Sequence, residues 1–166
     1  MKKALLIRFG GLGDLLVALP SIRLLRGKWA DARLTLACRE EYGALLRETG
    51  VVDEIMPEDS RLLAPLFSGA PAAESGFSDR LGSFDLIMGW THGPHGSFPR
   101  SIHADPRAPE QLSRCFFRKT AEAIGESGSL PIDEWARLPT GRLQGSEILS
   151  RMERGGRERR AAVVHP

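Results

Sequence analysis

Gly10-Gly11-Leu12-Gly13-Asp14 is the pentad whose residue types and spacing best suit chemistry. Glycines let a backbone come close to a bound group, and a helix starting there presents N–H groups that favour an anion such as a phosphate or a carboxylate. Asp14 adds one ionisable group at the same point. Taken alone, it reads either as a cap or first-turn acid that satisfies the helix's orphan donors, or as a general base. Helix-start donors favour the ionised carboxylate, which keeps it ready to accept a proton near neutral pH while weakening its basicity. The spacing is neither G-x-G-x-x-G nor G-x-x-x-x-G-K-[ST], so neither a dinucleotide fingerprint nor a Walker-type phosphate loop is indicated.

Other reactive side chains are more scattered. His92 and His95 stand three apart in the loop Gly89–Gly96, with His103 nearby, but nothing in the pattern fixes the two rings together, so no metal site is assigned. The same loop follows an expected strand's carboxyl end, where open α/β sheets keep their ligand crevice, and Trp90 and His92 are candidates to line it, with ordinary packing the preferred alternative for Trp90. Arg61, Arg100, Arg107 and Arg114 carry guanidinium forks suited to phosphate or carboxylate, and Arg61 and Arg114 are kept as candidate binding residues. Trp29 and Trp135 show no stacking period. Cys38 and Cys115 fit no metal or redox spacing and read as reduced, buried thiols, in keeping with a cytoplasmic location. No Ser-His-Asp or Cys-His arrangement and no cofactor motif can be argued.

These residues need a scaffold, and the apolar pattern supplies one. Ala4–Phe9 is a strand-length run ended by Gly10 and Gly11, after which Leu15, Leu16, Leu19, Ile22 and Leu25 follow helical spacing. Pro20 should kink that helix or restart it near Ser21, and Gly27 should close it. Arg33–Cys38 alternates as a second strand, Glu41–Glu48 reads as a short helix, and Val51–Met56 as a third strand stopped by Pro57. Ser60–Phe67 suits a helix, and Ser68–Ser83 a loop with a helical turn before Gly82. Phe84–Met88 is the fourth strand. Pro109–Ile124 is the clearest later helix, with Gly125 past its end. Gly145–Glu153 is a weaker helix, Arg151–Arg160 a solvated basic helix end and linker, and Ala161–Pro166 the start of a further strand. The recurring strand-helix-strand rhythm predicts a Rossmann-like, three-layer α/β domain with a mainly parallel sheet.

Bulk composition narrows the function classes. The 166 residues, 42% hydrophobic and 27% charged, argue against disorder and make a two-domain enzyme hard to fit. Lys+Arg 23 against Asp+Glu 21 leaves a net charge of +2, so no nucleic-acid partner is expected. Met1-Lys2-Lys3 before an apolar run imitates a signal peptide, but Arg8 and Asp14 interrupt that run. No stretch reaches bilayer-spanning length, so membrane contact is at most peripheral.

The block Lys3–Pro20, which contains Ile-Arg-Phe-Gly-Gly-Leu-Gly-Asp, then Ala30–Thr35, then Val52-Asp53-Glu54-Ile55, resembles in order and spacing the N-terminal half of the ADP-heptose:lipopolysaccharide heptosyltransferases, glycosyltransferase family 9. The helix Pro109–Gly125 and the closing Val163-Val164-His165-Pro166 are similar to later parts of the family's first domain and to the first strand of its second. Ser60–Pro106 offers little to match. The resemblance implies the N-terminal half of a GT-B fold, with residues 1–160 as the acceptor-side domain and 161–166 as the first strand of a carboxyl-terminal donor domain beyond this chain. It implies an inverting, metal-independent transfer of a sugar, by default heptose, from a nucleotide-sugar such as ADP-heptose to an anionic saccharide or lipopolysaccharide core acceptor. Asp14 matches the family's general base, and Gly10, Gly11, Leu12 and Gly13 match the turn lining the cleft. The expected location is the cytoplasm or the inner face of the inner membrane, and the chain alone is expected to be inactive. A non-catalytic Rossmann-like binding module is the alternative, because fold does not dictate function.

Overall fold

A computed structural model describes residues 2–63, 81–91, 100–103, 111–126 and 132–136. Five strands, β1 (Lys3–Ile7), β2 (Arg33–Cys38), β3 (Glu54–Pro57), β4 (Leu86–Thr91) and β5 (Arg100–His103), form one sheet in the order β3-β2-β1-β4-β5. Every pairing in it is parallel. The helices are α1 (Leu12–Lys28), α2 (Glu40–Glu48), α3 (Leu112–Ala123) and the short α4 (Ile132–Trp135). The predicted Rossmann-like α/β class is the one observed.

Strand periodicity divides β1 between two cores. Ala4 and Leu6 point into the larger one, against Leu15, Leu19 and Ile22 of α1, Leu45 and Leu46 of α2, and Phe116 of α3. Leu5 and Ile7 face the other side, with Ile87, Leu63 and Leu81. Leu6 is paired with both Leu36 and Met88, at the middle of the sheet. Near-continuous apolar strands are what a parallel sheet buried on both faces requires.

Several elements differ from the sequence pattern for identifiable reasons. Pro20 neither breaks nor restarts α1, which runs through it for 17 residues. The buried side chains on both sides of Pro20 hold the helix on the sheet, and this packing outweighs one missing backbone bond. Gly27 does not end the helix. A Cβ there would lie 2.5 Å from the Trp135 ring, so Gly27 makes room for α4. Pro57 lies within β3, where an edge strand tolerates its missing N–H. Val51 and Val52 precede that strand and are buried in the core.

The fourth strand is shifted towards the carboxyl end. The Phe84 N–H donates to the Leu81 carbonyl at 2.9 Å and closes a turn, while Met88–Thr91 pair with Arg100–His103. Gly89 interrupts the apolar run, but a partner strand carries β4 past it. β5 itself has no counterpart in the sequence pattern. Of the expected helix Ser60–Phe67, residues 60–63 form a turn, and the rest lies outside the described residues. The expectations for residues 145–166 also lie outside them. At the end of α3, Gly125 sits past the helix with φ +80, as expected.

The amino-terminal edge of the sheet is closed by charge. Asp53 Oδ2 accepts from the Leu34 N–H at 2.7 Å and from Arg26 Nη2 at 2.5 Å, and the Asp53 N–H donates to the Leu34 carbonyl at 2.9 Å. Arg33 pairs with Glu54 beside it. Burial alone would raise the Asp53 carboxyl, but the Leu34 N–H and Arg26 hold it below the ordinary value. A carboxyl whose folded pKa lies below its unfolded one contributes stability above the ordinary range, near about 3.9, and loses it as pH falls through the folded value. Asp53→Asn should therefore lower the melting temperature near pH 7 and leave it little changed near about pH 2. Parallel melting curves for the two proteins across that range would show that Asp53 carries no such linkage.

Candidate functional site

The chain leaves the central strand, lays out β2 and β3 to one side, then returns to place β4 and β5 on the other. The order therefore reverses between β1 and β4, and the crevice of such a sheet lies at the carboxyl ends of those two strands. Residues 8–14 stand there. The Arg8 N–H still pairs with the Ala37 carbonyl of β2 at 3.0 Å, and the backbone then turns through Gly10 at φ +115. Residues with a Cβ rarely adopt that conformation, and a Cβ there would lie 2.5 Å from Asp14 Oδ2.

Gly11 is the N-cap of α1, in extended conformation, and its carbonyl accepts the first helical bond from the Leu15 N–H at 3.2 Å. Having no side chain, it caps nothing itself. Asp14, three residues on, reaches back, and its Oδ2 accepts from the Gly11 N–H at 3.0 Å. The other oxygen, Oδ1, accepts from Arg8 Nη2 at 2.7 Å. The Asp14 side chain keeps 40% of its exposure, whereas that of Arg8 keeps 4%. The first-turn reading of Asp14 is thus a structural fact, and the side chain stays partly exposed at that end of the sheet.

Arg8 holds more than the carboxylate. Its Nε donates to the Asp14 carbonyl at 3.0 Å and its Nη1 to the Trp90 carbonyl of β4 at 2.8 Å, with the guanidinium carbon 5.4 Å from the centre of the Phe116 ring. Burial pushes the guanidinium below its ordinary value, and the Asp14 charge pulls it the other way. By sequence alone Arg8 is only an interruption of an apolar run. That interruption, a lone charge following four buried positions of β1, was the available signal.

The placement of the remaining candidates is mixed. Leu12 and Gly13 form the first turn of α1 beside Asp14. The expectation that the Trp90 ring lines the crevice is corrected, because it lies in the core at 1% exposure and its Nε1 donates to Thr120 Oγ1 of α3 at 3.0 Å. Only the Trp90 carbonyl reaches the site, through Arg8. Arg61 is exposed in the turn after β3, at the sheet edge two strands from β1. Arg114 is exposed on the first turn of α3, two residues from the inward-facing Phe116. His92, His95 and Arg107 lie outside the described residues, and Arg100 and His103 belong to β5. Among the described residues, no group of three or more His, Cys, Asp and Glu could hold a metal ion. Cys38 is buried, its thiol pushed up to about 12 by burial and by the Glu58 charge.

No protein-family model and no curated protein matches the chain. Solved structures do. Escherichia coli heptosyltransferase WaaC with ADP superposes at a TM-score of 0.50 with 13% identity, over 78% of this chain and 49% of that one. The same enzyme with ADP-2-deoxy-2-fluoro heptose gives 0.50 and 13%, over 86% and 53%. A glycosyl transferase family 9 protein from Veillonella parvula gives 0.51 and 11%, over 76% and 42%. At such identities the likeness shows the fold, an α/β parallel sheet similar to that of the GT-B heptosyltransferases. The chain spans about half the length of the structures it matches.

The glycines of the pentad are not equivalent. A Cβ on Gly13 meets no described atom within 4 Å, and one on Gly11 meets only Asp14 Oδ2 at 3.9 Å. Gly13→Ala should raise stability by about 0.5–1 kcal/mol, since glycine within a helix is the costlier residue. Gly10→Ala should lower it by more than about 1 kcal/mol, through both φ and the clash. Denaturant midpoints of the two variants check this, and a stable Gly10→Ala protein would contradict the geometry.

Proposed function

We propose that this chain is the acceptor-side domain of a glycosyltransferase of the heptosyltransferase type, with Asp14 as general base. The observation that carries the reading is the Asp14 carboxylate, held by two donors yet 40% exposed, at the first turn of α1 and at the switch point of the sheet. It stands in a fold similar to that of enzymes solved with ADP and with an ADP-heptose analogue.

In this reading, an acceptor hydroxyl approaches the open side of Asp14 and gives up its proton to a carboxylate oxygen. The hydroxyl oxygen forms a bond to the anomeric carbon from the face opposite the diphosphate. The bond from that carbon to the diphosphate oxygen breaks, and the electron pair leaves with the nucleoside diphosphate, which inverts the anomeric centre. First-turn N–H groups of α1 and cationic side chains offset the leaving charge, so the step is assigned no metal. Gly11 and Gly13 have room for side chains within the fold, and bare backbone at those positions suits close approach by the donor or acceptor. Gly10, Gly11, Leu12 and Gly13 are the proposed cleft floor, with Arg61, Arg114 and His92 as further candidates toward an anionic acceptor.

The default sugar is heptose and the default acceptor a lipopolysaccharide core. Because the chain spans about half of the matched structures, most donor contacts are assigned to a second domain. Among the described residues no helix is long and apolar enough to cross a membrane, and the proposed location is the cytoplasm or the inner face of the inner membrane.

The test is transfer from ADP-heptose to a lipopolysaccharide core acceptor. The 166-residue chain alone should show none, and turnover at about 1 s⁻¹ or faster would overturn the domain assignment. In the two-domain protein, Asp14→Ala should lower kcat by at least about 10²-fold, the lower range of a general base. Gly13→Ala should lower transfer while raising stability. Undiminished transfer in Asp14→Ala would overturn the base role of Asp14, and absence of transfer by the two-domain wild type would favour a non-catalytic binding module.

A further inference from the structure

Arg8, immediately after β1, carries a charge that packing by itself does not explain. The strand's alternation sends residue 8 to the same face as Ala4 and Leu6, and its side chain is 4% exposed there. A buried cation is costly unless every part of it is satisfied, and replacing such a pair with apolar residues often costs nothing. Nor does Arg8 serve the helix start directly, because the orphan groups there are N–H donors and a guanidinium only donates; the Gly11 N–H is met by Asp14 Oδ2. Arg8 instead directs two of its donors at Asp14. Nε meets the Asp14 carbonyl and Nη2 its Oδ1, so one planar group holds both the backbone and the side chain of Asp14. A further donor, Nη1, ties the guanidinium to the Trp90 carbonyl.

That anchor is itself fixed. Trp90 Nε1 donates to Thr120 Oγ1, and the Thr120 hydroxyl donates to the Phe116 carbonyl at 2.7 Å. The Phe116 ring then lies beneath the guanidinium. We propose that Arg8 is a positioning residue: braced by Trp90, Thr120 and Phe116, it holds the Asp14 carboxylate in one orientation, with its open side towards the crevice. This rests on the reading of Asp14 as the base. A lysine would keep the charge but, as a point donor on a flexible stem, cannot meet the two Asp14 acceptors and the Trp90 carbonyl in one plane.

The direct readout is the Asp14 side-chain rotamer, measured by scalar couplings in the 166-residue chain. Wild type should show one staggered χ1 well, Arg8→Met an average over several, and Arg8→Lys partial averaging. A folded Arg8→Met chain that keeps a single Asp14 rotamer would overturn the proposal. Should that variant not fold, Asp14→Ala decides the matter from the other side. The Arg8 guanidinium nitrogen signals, distinct in wild type, should shift and merge, and unchanged signals would overturn it. In the two-domain protein, Arg8→Lys should lower kcat about 10²-fold, the cost of misplacing a reacting group, with acceptor KM little changed. A purely structural Arg8 would lower the melting temperature and leave kcat alone. The rotamer and guanidinium readouts do not depend on transfer. Retained transfer in Asp14→Ala with shifted Arg8 signals would therefore end the reading of Asp14 as the base only, and lost transfer with silent Arg8 signals would end the positioning role only.

Discussion

Arg8 places a full charge where the sheet's alternation calls for an apolar side chain, on the face shared by Ala4 and Leu6. In a low-dielectric interior such a charge persists only where its hydrogen bonds are met, and meeting them organises everything near it. The Asp14 carboxylate must stay within 2.7 Å, the Trp90 carbonyl must point inward, and α3 must bring Phe116 under the guanidinium. These demands link β1, the first turn of α1, β4 and α3. Gly10 belongs to the same constraint, because the space that its missing Cβ would fill is taken by Asp14 Oδ2.

The two ends of the sheet use charge differently. At the amino-terminal end, Arg26 of α1 pairs with Asp53 and Arg33 of β2 with Glu54 of β3, all partly exposed, so each ion pair by itself contributes little. At the carboxyl-terminal end the cation is buried and its acid is exposed. This asymmetry leaves a partly exposed carboxylate paired with a buried guanidinium. Stability comes chiefly from the apolar layers between the two ends, where α1, α2 and α3 cover one face of the sheet.

Much of the architecture was legible because it is local. The apolar run before Gly10 and Gly11, the alternation of Arg33–Cys38 and the glycine after α3 each state their conformation within a few residues, and the structure agrees. Local pattern misleads where a distant partner decides. Gly27 reads as a helix end, yet its role is to admit Trp135 from more than a hundred residues away. Trp90 reads as a loop aromatic beside a crevice, until β5 extends β4 past Gly89 and Thr120 takes the indole into the core.

The sequence by itself determined the α/β class, the glycine turn and the presence of a carboxylate at the start of α1, because strand period, helix period and glycine spacing are short-range properties of the chain. Which way that carboxylate faces was decided only in three dimensions. Residues 8, 14, 90, 116 and 120 meet through parallel pairing of β1 with β4 and the packing of α3 on α1, and no local pattern encodes which distant carbonyl will receive a buried guanidinium.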